Sequence, residues 1–283
     1  MADPLEVLRR PLVPLAPDPA FAARLRERIR RALTEGATMT SAPRLAGTEG
    51  DVAYLSLQVP DASRARRFYG AVLGWAFAAD HRPGRSSQVH GQSLPFGIWD
   101  GAPSPGIKRP GVLVVHRVAD IGASVAAVRS LGGVAGEPHR EPYGMMADCA
   151  DDQGNAFTLL EMPPDAPRQD QAADRPGDVA YITISPGDEA RAGRFYGALF
   201  GWEIAPGLVP RGLQVRGPLP MIGLRGGTSR PAIVLTYRVG DIAAAARRVR
   251  DGGGTATDPE RQPYGVTADC TDDQGMRFGL GQL

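Results

Sequence analysis

The chain is poor in the residues that most often betray a chemistry. Of its 283 residues only two are cysteine and four are histidine. Cys149 and Cys270 fall at matching places in two similar stretches, so a disulfide framework is not expected and a reducing cytoplasm is the default compartment. His81, His90, His116 and His139 all lie in the first half, which leaves the second half without an imidazole to offer a metal. Charge of one sign is also missing: 32 basic residues stand against 31 acidic ones, for a net charge of +1. That balance gives no electrostatic reason to expect nucleic acid or an anionic membrane as partner. No apolar run approaches the roughly 18 residues of a membrane-spanning helix. The N-terminus shows no basic stretch followed by an apolar core, so no secretory leader is expected.

What the chain has instead is a repeat. DVAYLSLQVPDASRARRFYGAVLGW at Asp51–Trp75 returns as DVAYITISPGDEARAGRFYGALFGW at Asp178–Trp202. A second pair follows: the stretch from Arg109 to Leu159, with its EPYG and DDQG runs, returns from Arg230 to Leu280 with QPYG and DDQG. Two copies are too few for a solenoid, which needs about three or more, so they read as two halves of one folded body. With 42% apolar residues the chain can bury a sizeable core.

The boundaries follow. Residues 1–50 hold a proline-rich extended segment, an amphipathic helix and a linker. The helix opens at Asp18-Pro19 and carries Phe21, Leu25, Ile29 and Leu33 on one stripe. Module one spans 51–164, a linker 165–177, and module two 178–283. In module one Leu55, Leu57 and Val59 alternate with polar neighbours, the period of a half-buried strand. Asp61 caps a helix that runs to Leu73 and stops at Gly74. Trp75–Ala79, Ser87–His90 and Phe96–Trp99 are shorter strands. The plan then runs again: strand Val112–Val118, helix Asp120–Leu131, strands around Val134, Met145–Ala150 and Ala156–Glu161, with Asp151–Asn155 as the last turn. Each module is thus two βαβββ units, an α+β arrangement. Tyr181 follows Tyr54 by 127 positions but Gly275 follows Gly154 by 121, so module one carries the longer loop between its halves.

A strand, an Asp-capped helix ending FYxxxLGW, and a second βαβββ unit closing on an Asp-x-x-Gly turn resemble the vicinal oxygen chelate superfamily. That group includes glyoxalase I, bleomycin-resistance proteins, fosfomycin-resistance enzymes and extradiol dioxygenases. The resemblance covers about Asp51 to Leu283. It implies that each module curls a sheet around a central cup, where active members hold a divalent metal on His, Gln or Glu. The corresponding positions here are Tyr54, Leu113 and Thr158 in module one and Tyr181, Val234 and Gly279 in module two. None is a good divalent ligand, so no metal or other cofactor is expected. His116 has Tyr237 as its repeat partner and reads as a core aromatic. His81 and His139 read as solvated loop residues.

Strand parity assigns the cup-facing side chains. They are Tyr54, Ser56, Gln58, Gln88, His90, Leu113, Val115, Arg117, Asp148 and Thr158 in module one. In module two they are Tyr181, Thr183, Ser185, Gln214, Arg216, Val234, Thr236, Arg238, Asp269, Arg277 and Gly279. Cys149 and Cys270 point the other way, as small buried hydrophobes. Each cup offers an aromatic hydroxyl, small hydroxyls, one Arg and one Asp, the make-up of a small-molecule site. Arg117 with Asp148 and Arg238 with Asp269 could equally close structural bridges. Module one, with its longer loop and His90, reads as the more specialised pocket.

The favoured expectation is a metal-independent binding protein for an aromatic metabolite or antibiotic. Second is a metal-independent isomerase, cyclase or lyase of a secondary metabolite. In it Asp148 or Asp269 would be the base and Tyr54 or Tyr181 the acid or oxyanion donor. A metal-dependent glyoxalase or dioxygenase comes last. The expected partner is a small molecule, with the two modules packed on each other in a monomer or in a homodimer of chains.

Overall fold

The computed structural model describes residues 49–77, 86–108, 110–163 and 175–283. The amphipathic helix expected near Asp18, most of the linker before Gly177, and His81 lie outside the described residues.

Module one runs β1 (Val52–Gln58), α1 (Ala62–Leu73), β2 (Ala76–Phe77), β3 (Ser87–His90) and β4 (Phe96–Trp99). It continues with β5 (Gly111–Val118), α2 (Ile121–Ser130), β6 (Val134–Ala135), β7 (His139–Glu141), β8 (Gly144–Ala150) and β9 (Ala156–Glu161). These strands form one sheet in the order β2-β3-β4-β1-β5-β9-β8-β6, with β7 beside β8. The two βαβββ units join where β1 lies antiparallel to β5. Module two repeats the plan with β10 (Val179–Ser185), α3 (Glu189–Phe200), β11 (Glu203–Pro206), β12 (Gly212–Arg216) and β13 (Met221–Arg225). Then come β14 (Ala232–Arg238), α4 (Ile242–Asp251), β15 (Thr255–Ala256), β16 (Glu260–Gln262), β17 (Gly265–Thr271) and β18 (Arg277–Gln282), in the same strand order. The short strands β7 and β16 are additions to the expected plan: HRE and ERQ carry no apolar alternation by which to read them. His139 therefore sits on a strand, beside Glu141, and not in a loop.

The helices form where Asp side chains can satisfy their first turns. Asp61, Asp120, Asp188 and Asp241 each accept a hydrogen bond from the backbone N–H three residues on, at 2.9 Å. Gly74 and Gly201 end α1 and α3 in the left-handed conformation.

Each FY helix packs against the other module as well as its own. Phe68 and Tyr69 of α1 meet Tyr237 and Phe278 of module two, with ring centroids 5.8–6.1 Å apart for Tyr69–Phe278, Phe68–Phe278 and Tyr69–Tyr237. In return Phe195, Tyr196 and Phe200 of α3 meet Phe157 and His116 of module one. One apolar cluster consequently runs through both modules.

The DDQG turn closes this exchange. The Tyr69 hydroxyl donates to Asp272 at 3.2 Å, and Tyr196 donates to Asp151 at 3.0 Å. Gln274 and Asp61 bond each other's polar groups at 2.8 and 3.0 Å, and Gln153 does the same with Asp188. Arg64 pairs with Asp273, and Arg191 with Asp152. The two motifs that recur in the sequence are thus the two sides of one clasp, made twice. Burial of the Tyr69 and Tyr196 phenols, with a carboxylate beside each, holds them far above the usual range and therefore neutral donors.

His116 is a core aromatic, buried against Phe200 and Trp202, with Nδ1 2.9 Å from the Gly50 carbonyl oxygen. Burial lowers its pKa from 6.5 to about 4. The unfolded chain takes this proton below about pH 6.5 while the fold resists it, so stability falls as pH drops from 6.5 toward 4. The loss expected from this one group is about 3 kcal/mol. His116 packs on Phe200, and the repeat partners of these two residues are Tyr237 and Leu73. The double substitution His116→Tyr with Phe200→Leu should flatten this part of the profile in denaturant titrations run across that range; an unchanged slope would count against the assignment.

Candidate functional site

The concave face of each sheet is the candidate site, and register fixes which side chains share a row. In module one Tyr54 lies opposite Val115, Val115 opposite Thr158, and Thr158 opposite Asp148. In module two the same row reads Tyr181, Thr236, Gly279 and Asp269. The tyrosine and aspartate therefore stand three strands apart, roughly 15 Å along the sheet. The positions implied by the resemblance for a divalent metal do meet in the cups, since Leu113 pairs with Ser56 beside Tyr54. Their donors do not fit such an ion: phenol, methyl groups and a lone hydroxyl in one cup, phenol, methyls and a glycine in the other. Among the described residues no three His, Cys, Asp or Glu side chains converge.

Each tyrosine is laid over a glycine. The hydroxyl end of the Tyr54 ring lies over Gly97 on β4, and that of Tyr181 over Gly223 on β13; a Cβ at either glycine would strike the ring. In module one the Tyr54 hydroxyl bonds Ser86 at 3.0 Å and receives Gln88 at 3.2 Å. Gln58 donates to Ser56 and accepts from Ser104 N. Asp148 accepts from the Thr158 hydroxyl at 2.9 Å.

The alternative reading, in which Arg117 with Asp148 and Arg238 with Asp269 close structural bridges, is not what the side chains do. Arg117 Nη2 reaches Met162 Sδ at 2.7 Å, and Arg238 Nη1 donates to the Leu283 main-chain oxygen at 3.0 Å. The reason is register: Arg117 lies opposite Leu160, one row away from Asp148 and Thr158. Gln88, His90, Gln214 and Arg216 are exposed on the third strands of their modules, and Arg216 pairs with Glu203. Arg277 is exposed, while Thr183 is half-buried and Ser185 buried. Cys149 and Cys270 sit in the core, where burial pushes both thiols up to about 12 and leaves them without thiolate character.

Two residues at the cup rims escaped the sequence reading. Tyr143 and Tyr264 follow Pro in the EPYG and QPYG turns and are 53% and 49% exposed. The glycine after each has a positive φ, and a Cβ there would strike the main chain of Glu161 or Gln282. Burial raises the Tyr143 phenol, with Glu141 and then Tyr54 adding to it; burial raises Tyr181, with Tyr264 adding to it. Each rim tyrosine therefore neighbours the tyrosine inside its cup. The repeated Pro-Tyr-Gly was the available signal, since a large aromatic in a turn is rarely there for packing.

Comparisons with known proteins agree with this architecture. Residues 51–159 match the family model of the Glyoxalase/Bleomycin resistance protein/Dioxygenase superfamily. The anthracycline biosynthesis protein DauV of Streptomyces sp. (strain C5) is 34% identical over 135 residues, 47% of each chain. The anthracycline biosynthesis protein DnrV of Streptomyces peucetius is 32% identical over 161 residues, 56% of each chain. The chain thus spans about half the length of the curated relatives it matches. Among solved structures, the Mn(II)-bound glyoxalase from Novosphingobium aromaticivorans superposes with a TM-score of 0.60 at 13% identity, over 82% of each chain. Homoprotocatechuate 2,3-dioxygenase from Arthrobacter globiformis gives 0.60 at 16% identity, over 84% of this chain and 81% of its own. At that identity these two matches speak for the fold alone. No helix among the described residues is long and apolar enough to cross a membrane.

The donor chemistry leads to a direct expectation. Protein purified without chelator and dialysed against zinc, iron or manganese should retain no stoichiometric ion by elemental analysis; one ion per cup would contradict it.

Proposed function

From a chain that carries the glyoxalase/bleomycin resistance protein/dioxygenase fold twice in tandem, we propose a metal-independent protein that binds an aromatic secondary metabolite or antibiotic. The observation that supports this most is the tyrosine laid over a glycine in both cups, among neutral hydroxyl and amide groups. A ring face stacked on such a tyrosine gains apolar burial, and its edge finds hydroxyl partners. Two curated relatives are named for anthracycline biosynthesis, which suggests a polycyclic aromatic guest.

Catalysis is the second reading, and Asp269 is the observation in its favour. Gly279 stands where module one has Thr158, so Asp269 has no hydroxyl bound to it as Asp148 does. The carboxylate would take a proton and the Tyr181 hydroxyl would steady the developing oxyanion. A substrate must then reach both walls, roughly 15 Å apart along the sheet.

Equilibrium dialysis of the full chain against a panel of aromatic natural products separates the two. Binding predicts retention at micromolar concentrations, with the compound recovered unchanged. Recovery of a converted product would end the binding reading. If conversion is seen, the double substitution Asp148→Asn with Asp269→Asn should abolish it, and a retained rate would reject these carboxylates as bases.

A further inference from the structure

The two cups are copies in backbone but not in what fills them. On the floor of module one stand Val115, Met146, Thr158 and Leu160; the matching positions in module two hold Thr236, Thr267, Gly279 and Gly281. Every exchange removes apolar bulk. In module one the large residues pack on one another: Val115 and Leu160 are buried in a small cluster with Ala53, joined by Tyr54, Leu113, Met146 and Met162. That cluster fills the concave face from within. No equivalent cluster is formed over module two among the described residues. Its Thr236 and Thr183 are half-buried where Val115 and Ser56 are each 2% exposed. Asp269 is exposed, whereas Asp148 is half-buried and tied to Thr158.

The hydroxyls differ in the same sense. Tyr54 spends its hydroxyl on Ser86 and Gln88. No described residue bonds the Tyr181 hydroxyl, although the ring end lies against Gly223 and burial raises its pKa. The hydroxyl is not among the buried atoms left without a partner, so it is open to the cup and free to bond a guest in place of solvent. Beside it stands Tyr264, a large aromatic half in solvent.

We infer that the cup of module two takes the ligand, a flat hydroxylated ring system that rests on Thr183 and Thr236 and is held at its edge by Tyr181 and Tyr264. Module one's cup is the self-filled structural copy. This reverses the expectation from the longer loop and His90, and it rests on the binding reading above. The Thr236 side chain leans over Gly279 and Gly281, and Leu283 covers Gly281 as well, so the floor lies lower than in module one and ends in a hydroxyl and not in a methyl layer. The hydroxyls of Tyr181, Thr183 and Thr236 favour a guest with oxygens on its rim over a hydrocarbon.

The test uses quinizarin, a planar dihydroxyanthraquinone, titrated into the full chain and followed by its visible absorption. One site per chain is expected. Tyr264→Ala should weaken uptake about tenfold, the scale of one lost aromatic contact. Tyr143→Ala, at the rim of the other cup, should leave it unchanged. Gly279→Thr, whose Cβ would meet Thr236 Oγ1 at 2.8 Å and push that side chain into the cup, should weaken it comparably, with thermal melts confirming that the variant is folded. Two equivalent sites, or loss in Tyr143→Ala and not in Tyr264→Ala, would overturn the choice of cup. No uptake by the wild-type chain would reject the ligand class, while retention of another aromatic in the dialysis panel would keep the broader binding reading standing.

Discussion

A hydrogen bond from a buried tyrosine to an aspartate of the other module holds this molecule together. Tyr69 is fully buried, and its hydroxyl needs a partner that its own module does not provide. Asp272 accepts it while also accepting the backbone N–H groups of Gln274 and Met276. The turn thus fixes the carboxylate, the carboxylate fixes the tyrosine, and the tyrosine fixes the helix against the foreign sheet. Tyr196 and Asp151 repeat the arrangement in the opposite direction. Pulling the modules apart would strand two phenols and two carboxylates and bare the aromatic layer between them. The duplicated chain behaves as a dimer of modules closed within one polypeptide.

The two modules depart from that symmetry on both faces of their sheets. On the convex side they are matters of packing. His116 takes the Gly50 carbonyl, so Trp202 Nε1 is left without a partner, while Trp75 donates to Gly177. The larger Phe200 packs on the smaller imidazole, and their repeat partners are the smaller Leu73 and the larger Tyr237. On the concave side the departures change chemistry. Methionine, leucine and valine in one cup give way to threonine and glycine in the other, at positions where the clasp imposes no demand. Stability therefore resides in what the copies share, and specificity in what they do not.

Much of the architecture was legible because its signals are local. Strand alternation, Asp caps and glycine stops placed nearly every element, and β3, β4 and β9 match their expected limits. The role of FYxxxLGW and DDQG was not legible, because two motifs that touch across modules leave no periodicity along the chain. Parity assigned side chains to the cup face but not to rows on it. Hence a bridge from Arg117 to Asp148 stays open from parity alone, while register puts Thr158 beside Asp148. Tyr143 and Tyr264 carry no periodic signal, because they lie in turns defined by their glycines and prolines. The contrast between the cups was written in the sequence, at Thr158 against Gly279 and Leu160 against Gly281, but it acquires meaning only when those residues are seen to share a floor.

The claim that the clasp joins the modules is tested most directly by a double-mutant cycle on Tyr69 and Asp272. Tyr69→Phe, Asp272→Asn and the pair would be unfolded in urea. A single cooperative transition is expected for the chain, with a coupling energy of about 1 kcal/mol or more between the two sites. Strict additivity, or separate transitions for the two modules, would contradict it.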